Sequence, residues 1–452
     1  MGADIQLRYK MEQFSIIESS IYDLEKLIEN NNESAYSNVA DQFLPIGPQT
    51  LKDHKLDWDR VYQSLIEDLF QLSLGKREKE SLKKEVLDAF RSSRDTRELA
   101  DIIDKLYLSS NSIIHITPLA YLVGNNDTLS ARTKTMINIV QGLLTSPLNE
   151  QLQSNGNNLL ESLLIEKIHR LCERKNFNEN RLTYLPFLAE AFSKDIKTLT
   201  QNPTYFLNEL ENFLDIYTFL YLTQLTKHIC IPGNRYQIPS AKPLYFILET
   251  EKASKERHEC NQYGYDYLFS KTNGIAFNLF PYLGYLSRLS KKPSWMLINY
   301  PNNFYPKINQ FNHLIGQLFD ESYRNEDSLK AAINAGLNLQ KQVFEKTSRK
   351  DANKKVVEIF EKKFAAEFIT DRKAAGKYFV LNSNMLLLLT NLVISGSSEN
   401  KLLIDDVIEG FKKRGICLDI KSKKALLKFY ENVGNIEKLS DSGDAVYVKT
   451  TI

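Results

Sequence analysis

The sequence lacks the short motifs that mark several large classes of enzymes. No GxxxxGK[ST] segment occurs, and the nearest stretch, "SLGKREKE" around Gly75, lacks the leading glycine and the hydroxyl residue after the lysine. GxSxG, HExxH and GxGxxG are also absent. No nuclease-like cluster of carboxylates is evident by spacing, although such clusters can be dispersed. We therefore expect a protein that is not an enzyme.

Cysteine is scarce, and its spacing argues against a disulfide framework. The residues are Cys172, Cys230, Cys260 and Cys417, with no CxxC pair among them. Two His-x-Cys pairs, His228 with Cys230 and His258 with Cys260, have in principle the composition of a Cys₂His₂ zinc site. One intervening residue is tighter than the usual two to four, and 30 residues separate the pairs. We expect no metal and no cofactor, and interpret Cys230 and Cys260 as buried apolar residues.

In this region His258 lies in a charged run, so we expect it to be exposed. Arg235 and Arg257 are alternative ligand contacts in the same region.

Long hydrophobic runs are also missing. The longest, Met385 to Ile394, contains Thr390 and Asn391 and is too short to span a bilayer. The first fourteen residues hold no apolar segment of the secretory type. These absences predict a cytoplasmic protein with no membrane contact.

Charge of one sign is not in excess overall, because 58 Lys and Arg face 56 Asp and Glu, a net charge of +2. Any basic surface must therefore be local. Between Lys346 and Lys377 there are ten basic and five acidic residues. A solvated charged helix face is the simplest interpretation of that segment.

What is present is a helical pattern over most of the 452 residues, enough for two or three domains. In "WDRVYQSLIEDLF" apolar residues recur at helix spacing and Asp57 is placed to cap the start. We predict an N-terminal helical region (1–150), an aromatic-rich and mostly helical middle region (151–340), and basic helices with a distinct C-terminal module (341–452). Residues 205–306 hold 21 of the 49 aromatic residues. A packed aromatic core accounts for them, with a base-stacking surface as the alternative.

The C-terminal module is predicted from the order of its elements. "NMLLLLTNLVISG" reads as a buried helix ended by Gly396, "NKLLI" as a short strand, and "VIEGFKKRG" as a helix capped by Asp405 or Asp406. A turn and a second helix ending at Gly434 follow, then two alternating runs around "SDSGD" that indicate a β-hairpin. This is the order of a winged helix-turn-helix. The expected fold is mainly α, a multi-helical body with a C-terminal winged helix-turn-helix carrying a small β-hairpin.

The helix pair of this module is strongly basic, since residues 410–428 hold seven Lys and Arg and one acidic residue, Asp419. Lysines suit contact with phosphate, which positions a protein on double-stranded DNA without reading its sequence. The candidate DNA-binding residues are Lys412, Lys413, Arg414, Lys421, Lys423, Lys424, Lys428, Lys438 and Lys449. Two alternatives stay open: a protein-docking module, or a face that is only solvated.

The last forty residues, above all "SDSGDAVYVKT", resemble the end of the DptG family (also called DndG), a component of the bacterial DNA phosphorothioation-dependent restriction system. The remainder agrees with that family in length and helical character only. The resemblance implies a part in antiviral defence against DNA that lacks the phosphorothioate mark. It also implies DptF-like and DptH-like partners, which carry the nucleotide-hydrolysing and helicase-like parts.

Two functions follow as expectations. In the first, the chain is a non-catalytic DNA-binding scaffold subunit of such a complex. In the second, it is an adaptor whose winged helix docks a partner ATPase or helicase without touching DNA. A nuclease with dispersed ligands is a third and weaker alternative.

Overall fold

The computed structural model describes residues 2–33, 36, 42–91, 97–105, 116–124, 128–148, 159–299, 301–395, 400–438 and 446–451. The chain is 65% helix and 8% strand, which confirms the expectation of a mainly α protein. The helices are α1 (Gly2–Glu29), α2 (Trp58–Phe70), α3 (Lys76–Arg91), α4 (Arg97–Ile103), α5 (Ala131–Leu143), α6 (Leu159–Leu171), α7 (Pro186–Leu199), α8 (Pro203–Cys230), α9 (His258–Tyr263), α10 (Tyr265–Phe269), α11 (Ala276–Leu289), α12 (Tyr305–Phe319), α13 (Leu329–Lys346), α14 (Arg349–Ile359), α15 (Ser383–Ile394), α16 (Ile404–Lys413) and α17 (Ile420–Val433).

The strands form three small sheets within the described residues. They are β1 (Leu72–Ser73), β2 (Glu173–Arg174), β3 (Leu244–Leu248), β4 (Ile369–Asp371), β5 (Lys377–Leu381), β6 (Lys401–Leu403), β7 (Ile416–Leu418), β8 (Ile436–Lys438) and β9 (Val446–Lys449). β1 pairs with β2, a four-stranded sheet has the order β4-β5-β3-β7, and a three-stranded sheet has the order β6-β9-β8. β3 runs parallel to both β5 and β7, whereas the three-stranded sheet is antiparallel.

Helix α8 lies at the centre of the body. Asn202 caps its start through the amide of Tyr205, and Pro203 occupies the first turn, where a missing N–H costs nothing. Every residue from Ile216 to Cys230 is buried, so this segment is enclosed on all sides rather than amphipathic. Its Phe219 ring stacks on Phe368 with centroids 4.2 Å apart. The same ring also contacts Phe246 of β3 and Phe379 of β5, so the four-stranded sheet packs against α8.

The expectation of a packed aromatic core is confirmed. Tyr217, Phe219, Phe246 and Tyr285 are fully buried, and among the described aromatic side chains of residues 205–306 only Tyr263 is exposed. One cluster of buried apolar residues runs from Ile17 to Val448 and so draws on all three sequence regions. The division at residues 150 and 340 stays a prediction.

The helix caps predicted from the sequence are right in one case and wrong in another. Asp57 caps α2 by accepting from the amide of Arg60, as expected. The caps proposed for α16 are wrong: Leu403 holds the cap position, and Asp405 and Asp406 lie inside the first turn, where carboxylates still favour the helix dipole. Gly396 and the hairpin turn at 440–444 lie outside the described residues.

In the described part of the chain, no helix has the length and apolar character needed to cross a bilayer.

Candidate nucleic-acid interface

The basic residues singled out in the sequence lie on the last part of the chain, here called the C-terminal unit (the described residues from Ser383 to Thr451). Along the chain it consists of α15, β6, α16, β7, α17, β8 and β9. The last strand is central in its sheet, with Val448 opposite Leu402 on one side and Ile436 on the other. The expected hairpin strands are therefore present, and they pair with the short strand between the first two helices of the unit.

The interior of the unit is closed by close packing and a few polar contacts. Gly410 of α16 allows a close approach of α15, because a Cβ at that position would lie 2.5 Å from Cγ1 of Val393. The hydroxyls of Thr390 and Tyr430 lie 2.6 Å apart in the buried space between α15 and α17. Asn391 donates to Thr451 Oγ1 at 2.9 Å and so holds the end of the described chain. These contacts fix α17 relative to the sheet.

A first buried ion pair joins the unit to the body. Arg414 follows α16 and is 5% exposed. Its Nε donates to Oδ2 of Asp195 on α7 at 2.7 Å, its Nη2 donates to Oδ1, and Tyr217 of α8 donates to the same carboxylate. Burial acts against the charge of Arg414, but Asp195 outweighs it, so the pKa of the guanidinium is raised.

This placement corrects the sequence interpretation of Arg414 as a DNA-binding residue. Its guanidinium is occupied by Asp195 and by the carbonyl of Gly410, to which Nη1 donates at 2.7 Å. Nothing near Arg414 in the sequence indicates this, because Asp195 lies 219 residues away. Arg414 acts here as a structural cation.

A second buried ion pair holds the start of α17. Asp419 caps the helix through the amide of Ser422 at 2.8 Å and accepts from Nη2 of Arg257 at 2.7 Å. Arg257, from the loop before α9, also lies 3.0 Å from Glu251 and donates to Ser422 Oγ at 2.6 Å. Burial opposes ionisation of Asp419, but Arg257 and the Ser422 amide together hold its pKa below the usual value. The sequence suggests Arg257 as a ligand contact, whereas in the structure its guanidinium donates to Asp419 and Ser422 at the start of α17.

The remaining candidate residues lie on the outer side of the unit. Lys412, Lys413, Lys421, Lys424, Lys428 and Lys449 are exposed, and Lys423 is half-buried. The side chain of Lys438 lies outside the described part of the structure. Lys421, Lys424 and Lys428 are spaced three and four residues apart and therefore share one face of α17. The structure thus exposes most of the predicted set to solvent.

Some of these lysines already have partners. Lys412 pairs with the exposed Glu409 at 2.8 Å and Lys421 with the exposed Glu256 at 3.1 Å, and Lys449 pairs with the half-buried Glu437 at 2.8 Å. Such pairs exchange readily for a phosphate because each is worth little. Lys413, Lys423, Lys424 and Lys428 make no ion pair with any residue that the structure describes. These four are the lysines of the predicted set whose charge is least compensated.

Charged side chains of α16 and α17 lie close enough to interact. The Lys412 hydrogen bond, with Lys413 and Lys423 close by, holds the pKa of Glu409 below its usual range. Lys423 belongs to α17 and the other two lysines to α16, so all three approach a single carboxylate. We call Lys413, Lys423, Lys424 and Lys428 the lysine face.

The two His-x-Cys pairs do not form a metal centre in the described structure. No group of three or more His, Cys, Asp or Glu side chains there is arranged to hold an ion. His228 Nε2 is bonded to the carbonyl oxygen of Ser240 at 2.9 Å, and His258 is exposed, as expected. Cys230 and Cys260 are buried, which confirms their interpretation as small core residues.

The sequence was compared with protein-family models and with curated proteins. No protein-family model matches this chain, and no curated protein matches it. The geometry of the C-terminal unit is therefore the basis on which a function can be proposed.

Proposed function

We propose that the C-terminal unit is a winged helix-turn-helix and that its lysine face contacts the phosphates of double-stranded DNA. The order of helices and strands and the antiparallel sheet β6-β9-β8 support this fold. In such folds the helix corresponding to α17 usually faces the nucleic acid.

One observation carries the proposal: α17 is held rigidly at its start and presents unpaired lysines at its outer side. Asp419 and Ser422 are fixed to the body through Arg257, so the helix does not need to be ordered on binding. Lys424 and Lys428 are exposed without an ion pair in the described structure. Lysine is a compact charge that neutralises phosphate without reading bases. Contact with DNA is therefore independent of sequence.

At the level of the whole chain, the proposal is a non-catalytic scaffold and DNA-binding subunit of a phosphorothioation-dependent restriction complex. The resemblance of "SDSGDAVYVKT" to the DptG family and the missing nucleotide-hydrolysis motifs support it. DptF-like and DptH-like subunits would supply nucleotide hydrolysis and strand separation. This chain would supply a large buried core as the scaffold and the lysine face as the DNA contact.

The test is fluorescence anisotropy of labelled duplex DNA, with and without phosphorothioate, across a salt series. For a Lys423→Ala, Lys424→Ala and Lys428→Ala variant we expect weaker binding. The slope of log K against log salt should become shallower by about 3, since each neutralised phosphate contributes roughly 0.9 to it. The matched control replaces Lys52, Lys55 and Lys84, which are also exposed. An equal slope for the two variants, or no binding by the native chain at low salt, would contradict the DNA contact.

A specific observation favours the second function, a docking adaptor. Ile420 at the start of α17 is 72% exposed, and Leu403 and Val433 of the same unit are exposed as well. A partner that covered these side chains would remove their apolar surface from water. In that case Ile420→Asp, or a change at Tyr447, would disrupt co-purification with DptF-like and DptH-like subunits and leave DNA affinity unaltered. Loss of DNA affinity with assembly intact would instead favour the first function.

A further inference from the structure

A concave basic site lies in the body, on elements that are not part of the C-terminal unit. It is a cavity of about 500 Å³ between the loop before α11, the second half of α13 and the first half of α14. This volume is within the range of sites that hold a small organic ligand. The charged and amide side chains that line it are Lys271, Lys341, Lys350, Lys354, Glu345, Asn273, Asn278 and Asn353.

The lining of the cavity carries an excess of positive charge. Four lysines and one carboxylate line it. Lys341 lies 3.8 Å from Glu345, and Lys354 lies 3.2 Å from Asp351 in an exposed pair. Lys271 and Lys350 make no ion pair with the residues that the structure describes. Gathering ammonium groups around a concave surface is unfavourable in the absence of an anion, so this arrangement favours an anionic ligand.

A second feature of the site is independent of its charge. Asn353 is 9% exposed, and its Nδ2 donates to the carbonyl oxygen of Phe277 at 2.6 Å, which orients the amide. Its Oδ1 is buried and has no hydrogen-bond partner in the described structure. An unpaired buried acceptor is costly unless a ligand supplies a donor. A ligand that carries an amino or hydroxyl group as well as a negative charge would satisfy this acceptor.

The wall of the cavity is preformed. Gly274 ends the lysine-bearing loop, and a Cβ at that position would lie 2.6 Å from the carbonyl oxygens of both Leu268 and Ser270. Only glycine fits this close approach, which holds Lys271 and Asn273 at the cavity wall. Phe277, which is half-buried, and Phe344, which is buried, also line the cavity. Ammonium groups, an orphan acceptor and aromatic rings together are complementary to a phosphate, a hydroxyl or amino donor and a flat base.

We infer that this cavity binds the phosphate of a nucleotide, with Lys271 and Lys350 as the principal phosphate contacts and Asn353 accepting from the base or sugar. The inference does not depend on the lysine face, which lies on other helices. The phosphate has two sources, a free nucleotide or one nucleotide of a nucleic-acid strand. Without the hydrolysis motifs, the site would bind a nucleotide and leave it intact.

The test is isothermal titration calorimetry of the full chain with ADP, adenosine and a short single-stranded oligonucleotide. We expect ADP to bind and adenosine to bind far more weakly, since adenosine has no phosphate. Lys271→Ala with Lys350→Ala should weaken ADP binding at least tenfold, because two charge-assisted contacts are removed. Both side chains are exposed, so the fold is expected to survive.

The matched control is Lys52→Ala with Lys84→Ala, a pair of exposed lysines on other elements, for which ADP affinity should not change. Competition between the oligonucleotide and ADP would assign the phosphate to a nucleic-acid strand, and independent binding would assign it to the free nucleotide. Either result supports a phosphate site. No binding of either phosphate ligand, or equal affinities for the Lys271–Lys350 variant and the native chain, would overturn the inference.

Discussion

The C-terminal unit has two faces that use positive charge in opposite ways. On the face packed against the body, Arg414 is buried against Asp195, and Asp419 is buried against Arg257. On the solvent face the cations are lysines, which pair with exposed carboxylates or with none in the described structure. A guanidinium is planar and weakly hydrated and therefore tolerates burial, whereas an ammonium is strongly hydrated. Residue type thus separates structural cations from those available to a ligand.

The largest effect is expected from breaking the buried side of this comparison. Arg414→Ala leaves Asp195 buried without its partner, which should lower the free energy of unfolding by about 3–5 kcal/mol. Urea denaturation monitored by circular dichroism measures this. Replacing both partners, as Arg414→Met with Asp195→Leu, should recover most of the loss. A single variant as stable as the native chain would show that the pair is not structural.

A smaller loss is expected at the second ion pair. Asp419→Asn keeps an oxygen that can cap α17 but removes the charge facing Arg257, which retains Glu251 at 3.0 Å. We expect the free energy of unfolding, measured by the same urea denaturation, to fall by about 1–3 kcal/mol. Asp419→Ala should cost about 1 kcal/mol more, the value of a helix cap. Equal stabilities for the two variants would mean that the cap contributes nothing here.

A buried histidine in the body provides a related test of charge burial. Burial, with Arg132 and Lys363 close by, lowers the pKa of His54 to about 4, and the side chain is 5% exposed. Because the unfolded chain takes up the proton first, stability is full above about pH 6.5 and is lost as the pH falls towards 4. Between pH 7.5 and pH 5, the free energy of unfolding of the His54→Leu variant should fall by about 1–2 kcal/mol less than that of the native chain.

The measurement for His54 is the urea midpoint at the two pH values. The native chain, measured at the same two pH values, is the reference. A native pH dependence in the His54 variant would contradict the assignment. His228 is expected to contribute in the same direction, since burial also lowers its pKa to about 4.

The smallest effect on stability is expected on the solvent face. Lys412→Ala and Lys421→Ala each remove an exposed ion pair and should change the free energy of unfolding by less than about 0.5 kcal/mol. The same variants should weaken DNA binding slightly, and differential scanning calorimetry together with anisotropy separates the two effects. A stability loss as large as that of Arg414→Ala would show that these exposed lysines contribute as much to stability as the buried arginine.

The sequence predicts the local structure of the C-terminal half better than its attachment. The apolar residues Val356, Ile359, Phe360, Phe364 and Phe368 recur at helical spacing and are buried, and Gly434 ends α17 with a φ of +81°. These features depend on periodicity and on backbone freedom, which neighbouring residues determine. The element order is likewise readable because each segment carries its own signal.

The contacts that attach the C-terminal unit to the body cannot be predicted from the sequence, because they involve residues far away in the chain. The sequence pattern predicts a turn at "ICL", which is strand β7 only through pairing with β3, about 170 residues earlier. The same limit applies to Arg414, whose burial depends on Asp195, and to Leu99 and Ile102, which continue a helical stripe but remain exposed. Tertiary contacts, rather than propensity, decide these positions.

The pairing of β7 with β3 has a consequence for the order of synthesis. β3 leaves the ribosome long before β7, so one edge of the four-stranded sheet stays open until the C-terminal unit arrives. Contacts of such high sequence separation form slowly, and an unpaired edge strand is a template for aggregation. The C-terminal unit therefore also covers the open edge of the four-stranded sheet. A chain truncated before residue 383 should accumulate as an aggregating intermediate rather than as a smaller folded protein.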